Sequence, residues 1–316
     1  MRSGVVHVSN PVITLALAAM LTACGPPTAA FGQTQLRWHF TPGETLEIEI
    51  RQGIQLDSKF GDEPIQVRNQ MRQEMTWRVD SVDSEGTAQL TMRIDRLVMS
   101  LEIPGADSIE FDSANEEDAE GPAQRIAGDV RPLVGLECRL RVTPRGEVVS
   151  FKPTPQAEER LANMRPEMRW REIFSRQGIG TLVQLAVSPL PADAVVKGEC
   201  WNATETVNSP VGPLQKETRY CYAGPNKEHG EKTARLEKIN IQEQWTLAKE
   251  KNPSRVELQI KQQEGSGVLL VDAVAGRLVS GERSHKVTLR ATIDGQAYLQ
   301  QLTGWTKVSV KKMIND

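Results

Sequence analysis

From Leu46 to Ile103 the apolar residues keep to every second position through one turn after another. Leu46, Ile48, Ile50, Ile54 and Leu56 hold the even phase, interrupted by Gln52. After Gly61-Asp62, the residues Ile65, Val67, Met71, Met75, Trp77 and Val79 hold the odd phase. A strand sends alternate side chains to opposite faces, so this period gives strands with one apolar and one polar face. Runs this long do not fit helices, whose apolar residues recur at three and four. Ala88, Leu90, Met92 and Ile94 are even, then Leu97, Met99, Leu101 and Ile103 are odd. A phase change inside one run marks a β-bulge, expected near Asp95-Arg96. Long, bulged, one-sided strands make a curved sheet whose apolar face must be covered.

The same period extends to both sides of this stretch. Leu36, Trp38 and Phe40 alternate with Arg37 and His39, and read as an opening strand. Leu136, Cys138, Leu140 and Val142 form another, turning at Thr143-Pro144-Arg145-Gly146 into Val148 to Phe151. Further strands are expected at Cys200 to Val207, Gln215 to Tyr222 and Val256 to Ile260. Val268 to Val271 reads as a fully buried run, followed by Arg277 to Glu282 and Val287 to Ile293. Asp294-Gly295 is a strong hairpin signal leading to a last strand with Tyr298, Leu302, Trp305, Val308 and Val310. Gly43-Glu44 and Gly198-Glu199 each precede a long hairpin, which suggests two β halves.

The middle of the chain reads differently. Ala123 to Val134 has the composition of a short helix. Thr154-Pro155 is a helix start, a hydroxyl cap followed by Pro at the first helical position. Pro166 divides the following run, and Glu167 with Arg171 has the spacing of a surface ion pair. Gly178 to Leu190 is the least polar stretch after residue 24. It reads as a helix packed on the sheet or as a lid, and Ile179, Leu182, Val183 and Leu185 are the candidate lining of an apolar ligand site. The segment 106–122 is acidic, lacks the glycine and ligand spacing of a calcium loop, and reads as a solvated loop.

The N-terminus carries an export signal: positive charge at Arg2, then an uncharged apolar run from Val12 to Ala23. That run falls short of the about 20 residues that span a bilayer. Leu21-Thr22-Ala23-Cys24 resembles the bacterial lipobox, which implies a lipid on Cys24 and a membrane anchor. Ala30-Phe31-Gly32 offers an alternative cleavage that would release a soluble secreted protein. The expected layout is a signal peptide at 1–23 and a flexible linker at 24–34. A β half at 35–152, a helical segment at 153–190 and a second β half at 191–316 follow.

An exported protein can hold disulfides. Centring the hairpin on Pro210-Val211 sets Cys200 opposite Cys221 and Trp201 opposite Tyr220, so Cys200–Cys221 is the expected bridge. Cys138 lies among apolar alternating neighbours and reads as a buried, inert thiol. His39, His229 and His285 have no metal-ligand spacing, and no nucleophile, phosphate-loop or metallohydrolase motif is present. The net charge of −3, from 38 basic and 41 acidic side chains, gives no footprint for nucleic acid. No cofactor is implied, and a non-catalytic role is expected.

Three stretches carry a resemblance. Leu-Arg-Trp-His-Phe-Thr-Pro-Gly-Glu-Thr (36–45), Trp-x-Val-x-x-Val-Asp-x-x-Gly (77–86) and Val-Asp-x-x-Ala-Gly-Arg-Leu-Val-Ser-Gly-Glu (271–282) resemble an uncharacterised family of bacterial exported β-rich proteins and lipoproteins. The layout is similar to lipoprotein-carrier-like β-clam proteins. The strand periods and the helical middle together give a mainly β (α+β) fold: a long-stranded curved antiparallel sheet or incomplete barrel, with a short helical segment packed on one face. The uncharacterised family has no known function; the one-sided sheet with the apolar 178–190 segment points to an envelope lipoprotein holding a lipid or other apolar ligand, and the alternative is a structural or protein-interaction module of the cell envelope.

Overall fold

The computed structural model describes residues 32–60, 63–115, 121–163, 176–209, 212–226, 235–247, 256–293 and 296–313. Cys24, the signal peptide, Pro166, the Glu167–Arg171 pair and His229 lie outside the described residues.

The protein is mainly β, built on one 12-stranded antiparallel sheet. Its strands are β1 (Thr45–Phe60), β2 (Glu63–Val82), β3 (Ala88–Glu102), β4 (Ile109–Asp112), β5 (Glu137–Val142) and β6 (Val148–Pro153). After the helices come β7 (Cys200–Ser209), β8 (Gly212–Pro225), β9 (Leu236–Leu247), β10 (Val256–Asp272), β11 (Arg277–Ile293) and β12 (Gln296–Lys312). Their order across the sheet is β6-β5-β3-β2-β1-β12-β11-β10-β9-β8-β7, with β4 paired to β3. Each half is a meander, and the two join where β1 pairs β12. Helix α1 (Gly121–Val130) lies between β4 and β5, and the chain passes from one edge, β6, to the other, β7, through the helices α2 (Pro155–Ala162) and α3 (Arg176–Val187).

The local signals act as their chemistry dictates. Thr154 caps α2, its hydroxyl accepting from the Ala157 N–H at 3.3 Å. Glu74 pairs with Arg96 and Met75 with Ile94, which leaves Asp95 as the extra residue of a bulge. Ile293 pairs with Gln296, closing the β11–β12 hairpin. The two halves open on the same device. Gly43 (φ +83°) and Gly198 (φ +96°) turn the chain in the left-handed region open to glycine. The carboxylates of Glu44 and Glu199 then accept from the N–H three residues back, Thr41 at 3.0 Å and Val196 at 2.8 Å. Glu44 bonds Val79 on β2 through its backbone, and Glu199 bonds Tyr222 on β8 in the same way.

The first pair after each turn differs in a telling way. Thr45 faces Arg78 in the first half, and Cys200 faces Cys221 in the second, where the two cysteines are bonded. Strand β1 is held on both sides by β2 and β12, whereas β7 is an edge strand paired only to β8. The disulfide fastens the strand that has one neighbour. A bonded cysteine pair belongs with an oxidising, extracytoplasmic compartment.

Four expectations are corrected. Residues 35–44 alternate in burial, Leu36, Trp38 and Phe40 inward, but form no ladder. They run as a strap across one end of the sheet: Trp38 N–H bonds Pro144 O, His39 N–H bonds Gly276 O, and Thr34 bridges Val195. Thr34, placed in the linker by sequence, is buried, and its hydroxyl lies 3.0 Å from that of Tyr222. Part of the acidic 106–122 segment is a strand, β4, where Arg96 donates to Asp112 at 2.9 Å. Val268 to Val271 is not buried throughout: it belongs to one 17-residue strand in which Leu269 and Val271 are buried and Val268 and Leu270 half-buried.

The main core lies between the inner face of the sheet and α1, α3 and the strap. Trp38, Trp77, Leu46, Ile48, Ile50 and Leu90 are fully buried there, each side chain contributing about 1.5–3 kcal/mol. Residues from β1, β2, β3, β5, β8 to β12 and α3 belong to this one cluster, so the sheet curls around the helix. Cys138 is a free, buried thiol whose pKa is pushed up to about 12 by burial.

Candidate functional site

The inner face changes character along the strands. At one end it is the packed core described above. Farther along β1 the same face continues through Gln52, Ile54 and Leu56, opposite Met71, Asn69 and Val67 of β2. There the cover ends: Ile54 is 49% exposed and Ile65 41% exposed, while Leu56, Val67 and Leu302 are half-buried. A smaller apolar cluster, Leu214, Trp245, Val287 and Leu289 with Leu247 and Ile260, lies on the β8–β11 side.

Charged residues stand on this inner face in positions where the strand period calls for apolar ones. Lys216 follows Leu214 and precedes Thr218 and Tyr220 on the buried phase of β8. Glu243 stands between Ile241 and Trp245 on β9, and Arg283 and His285 precede Val287 on β11. Register places Glu205 (β7), Lys216 (β8) and Trp245 (β9) in one row. Ala203, Thr218 and Glu243 form the next row. Gly265 on β10 makes this possible: a Cβ there would lie 2.8 Å from the Glu243 Cβ, so only a bare backbone lets β9 close over it.

These side chains form one network. Lys216 pairs with Glu205 and lies 3.7 Å from Glu243, with its ammonium 5.4 Å from the Trp245 ring centre. Arg283 Nη1 lies 3.7 Å from the same Glu243 oxygen. The Arg283 guanidinium sits 5.8 Å from the Tyr220 ring centre, and its Nη2 donates to Ser188 Oγ at 3.0 Å. Ser188 ends α3 in the left-handed region, φ +45°. Its neighbouring carbonyls form the negative end of the helix, which Arg283 complements. Burial pushes the Tyr220 hydroxyl pKa up. Burial also lowers the His285 pKa, Lys216 adding to the effect and Glu243 opposing it. The His285 ring tilts against Trp245 at 5.3 Å and lies across Gly304. Two acids and two bases balance in this network. A buried ion pair of this kind gives little net stability, since desolvation offsets the attraction.

A cavity of about 230 Å³ opens beside the network, between α3 and β7–β8. Leu185, Pro189, Ala203 and the Tyr220 ring form its apolar walls, with Gln184, Thr204, Glu205, Thr218 and Arg283 completing it. Thr218 and Tyr220 are buried at its floor, and Thr204 is exposed at its mouth. A second hollow of about 540 Å³ lies by the disulfide, lined by Asn202, Glu217, Arg219, Gln242 and Gln244 on the outer, polar face of β7–β9.

Of the residues named from the sequence, Leu185 lines the cavity, whereas Leu182 and Val183 are buried in the main core. The Ile179 backbone lies in α3, and its side chain is outside the described residues. The charged network was missed by the sequence reading; its signal is a charge standing in the apolar phase of a strand. Among the described residues, no group of three or more His, Cys, Asp or Glu side chains could hold a metal ion. No described helix is long and apolar enough to cross a membrane.

No protein-family model matches the sequence, and no curated protein matches it. The resemblance over 36–45, 77–86 and 271–282 therefore stands on turn and strand patterns alone. Solved structures similar to the chain include the following three. The first, described as lipid-protein interactions in lipovitellin, is 12% identical with a TM-score of 0.48, covering 88% of this chain and 26% of that one. The chain thus spans about a quarter of that protein's length. DynF from the dynemicin biosynthesis pathway of Micromonospora chersina is 10% identical, with a TM-score of 0.20 and 94% and 92% of the two chains covered. An outer membrane channel from Pseudomonas putida F1 is 7% identical, with a TM-score of 0.21 and 87% and 97% covered. All three scores are below 0.5, and none bears on what this chain binds.

Proposed function

We propose that the protein is a non-catalytic, exported binding protein of the cell envelope, tethered through Cys24, that holds an apolar or amphipathic ligand on the inner face of its sheet. The observation that carries this reading is the cavity between α3 and β7–β8. It combines an apolar surface, from Leu185, Pro189, Ala203 and the Tyr220 ring, with polar groups that converge on it, as small-molecule sites do. Its volume of about 230 Å³ is below the about 300 Å³ at which such sites usually begin, so it takes one end of a ligand. The half-exposed Ile54 and Ile65 support the same reading, because an apolar face left uncovered marks an interaction site.

The test is displacement of a fluorescent acyl probe from the full-length protein and from Ala203→Trp, which fills the cavity from an edge strand. Saturable binding to the wild type that is lost in Ala203→Trp, with unchanged circular dichroism, supports the reading. A wild type that binds no probe overturns it.

The second reading, an interaction module, draws on β7. This edge of Cys200–Ser209 has no Lys or Pro to deter another strand. Its inward-facing Glu205, paired with Lys216, is itself a deterrent, which favours the ligand reading.

A further inference from the structure

We infer that the ligand end received by the cavity is an uncharged carbonyl group, the ester of an acyl chain, and that Arg283 is the residue that selects it. This rests on the ligand-binding reading above. Arg283 is nearly buried, its side chain 10% exposed, yet it lines the cavity. A guanidinium carries five N–H donors in a fixed fork and no acceptor. Among the described residues Nη2 donates to Ser188 at 3.0 Å, and the guanidinium also hydrogen-bonds the Tyr220 hydroxyl, which leaves most of its five N–H groups uncommitted. Its ionic partner Glu243 stands 3.7 Å from Nη1, beyond the about 2.7–2.9 Å of a charge-assisted hydrogen bond. The guanidinium is therefore held in place but not saturated, with donor capacity beside an apolar-walled space. A ligand that engages Arg283 must therefore supply an acceptor.

Charge decides which acceptor. Glu205 and Glu243 already balance Lys216 and Arg283. A carboxylate or phosphate entering the cavity would add a negative charge beside Glu205, which shares its lining, and would compete with Glu243 for Arg283. A carbonyl oxygen takes the spare donors and leaves the balance unchanged. The apolar walls at Leu185, Pro189 and Ala203 accommodate the first methylenes of the chain.

The experiment measures binding of monooleoylglycerol and of oleate to the full-length protein by probe displacement. Wild type is expected to bind the ester at least tenfold more tightly than the anion. Arg283→Met is expected to weaken ester binding about tenfold and abolish the preference. Glu205→Gln, at the partly exposed mouth, is the second variant, its folding checked by circular dichroism. It is expected to raise oleate affinity severalfold and so to narrow the preference for the ester. Equal binding of the two ligands by wild type, or a ratio unmoved by Glu205→Gln, overturns the assignment while leaving the ligand-binding reading intact. Binding of neither ligand overturns both.

Discussion

Ser188 and Arg283, 95 residues apart in the chain, meet where helix α3 ends against strand β11, Arg283 Nη2 donating to Ser188 Oγ at 3.0 Å. The contact fixes the helix end over the inner face and holds the guanidinium at the cavity. A hydrogen bond to a charged group contributes about 1.5–3 kcal/mol. Ser188→Ala is expected to destabilise by that amount in urea unfolding. A double-mutant cycle with Arg283→Met should show a coupling of about 0.5–3 kcal/mol. Strictly additive effects would mean that the two side chains do not act together.

The disulfide fastens an edge strand across a separation of 21 residues. A loop of about 15 residues is worth about 3 kcal/mol in the chain-entropy account. Cys200→Ser with Cys221→Ser is therefore expected to lose about 3 kcal/mol, with the loss reproduced by reduction of the wild type. An equal melting temperature with and without reductant would count against this role.

His285 gives the network a pH dependence. Burial lowers its folded-state pKa, so the unfolded chain binds the proton more readily. The resulting stability is fully present above the ordinary value of about 6.5 and is lost as pH falls below it toward the folded-state value. His285→Gln is expected to flatten the stability profile between neutral pH and about pH 5 relative to wild type. A mutant as steep as wild type over that range would place the proton uptake elsewhere.

Cys138, buried and with its pKa pushed up to about 12, has almost no thiolate at neutral pH. Iodoacetamide should leave it unmodified in the folded protein and alkylate it in urea, as read by peptide mass. Rapid modification of the native protein would show that the core at β5 opens.

The strands were legible because the apolar period reports faces directly. It located the bulge at Asp95 and, with the Pro210-Val211 turn, the register that joins Cys200 to Cys221. The same signal misled at Leu36, Trp38 and Phe40, because alternation reports burial and not whether a neighbouring strand exists. It also hid β9, whose alternation through Ile239, Ile241, Trp245 and Leu247 is broken by Glu243. That break was the signal of the site. Lys216, Glu243 and Arg283 look like ordinary surface charges until the curl of the sheet brings β8, β9 and β11 together. The curl depends on glycines such as Gly265 and on long-range packing, which no local pattern encodes.

The central claim is that the inner face holds a ligand. Full-length protein purified without detergent, extracted with organic solvent and analysed by mass spectrometry tests it most directly. The account predicts acyl esters in the extract of wild type, in near-stoichiometric amount, and their loss from Ala203→Trp. An extract free of lipid, from protein that also fails to take up added monooleoylglycerol, would contradict it.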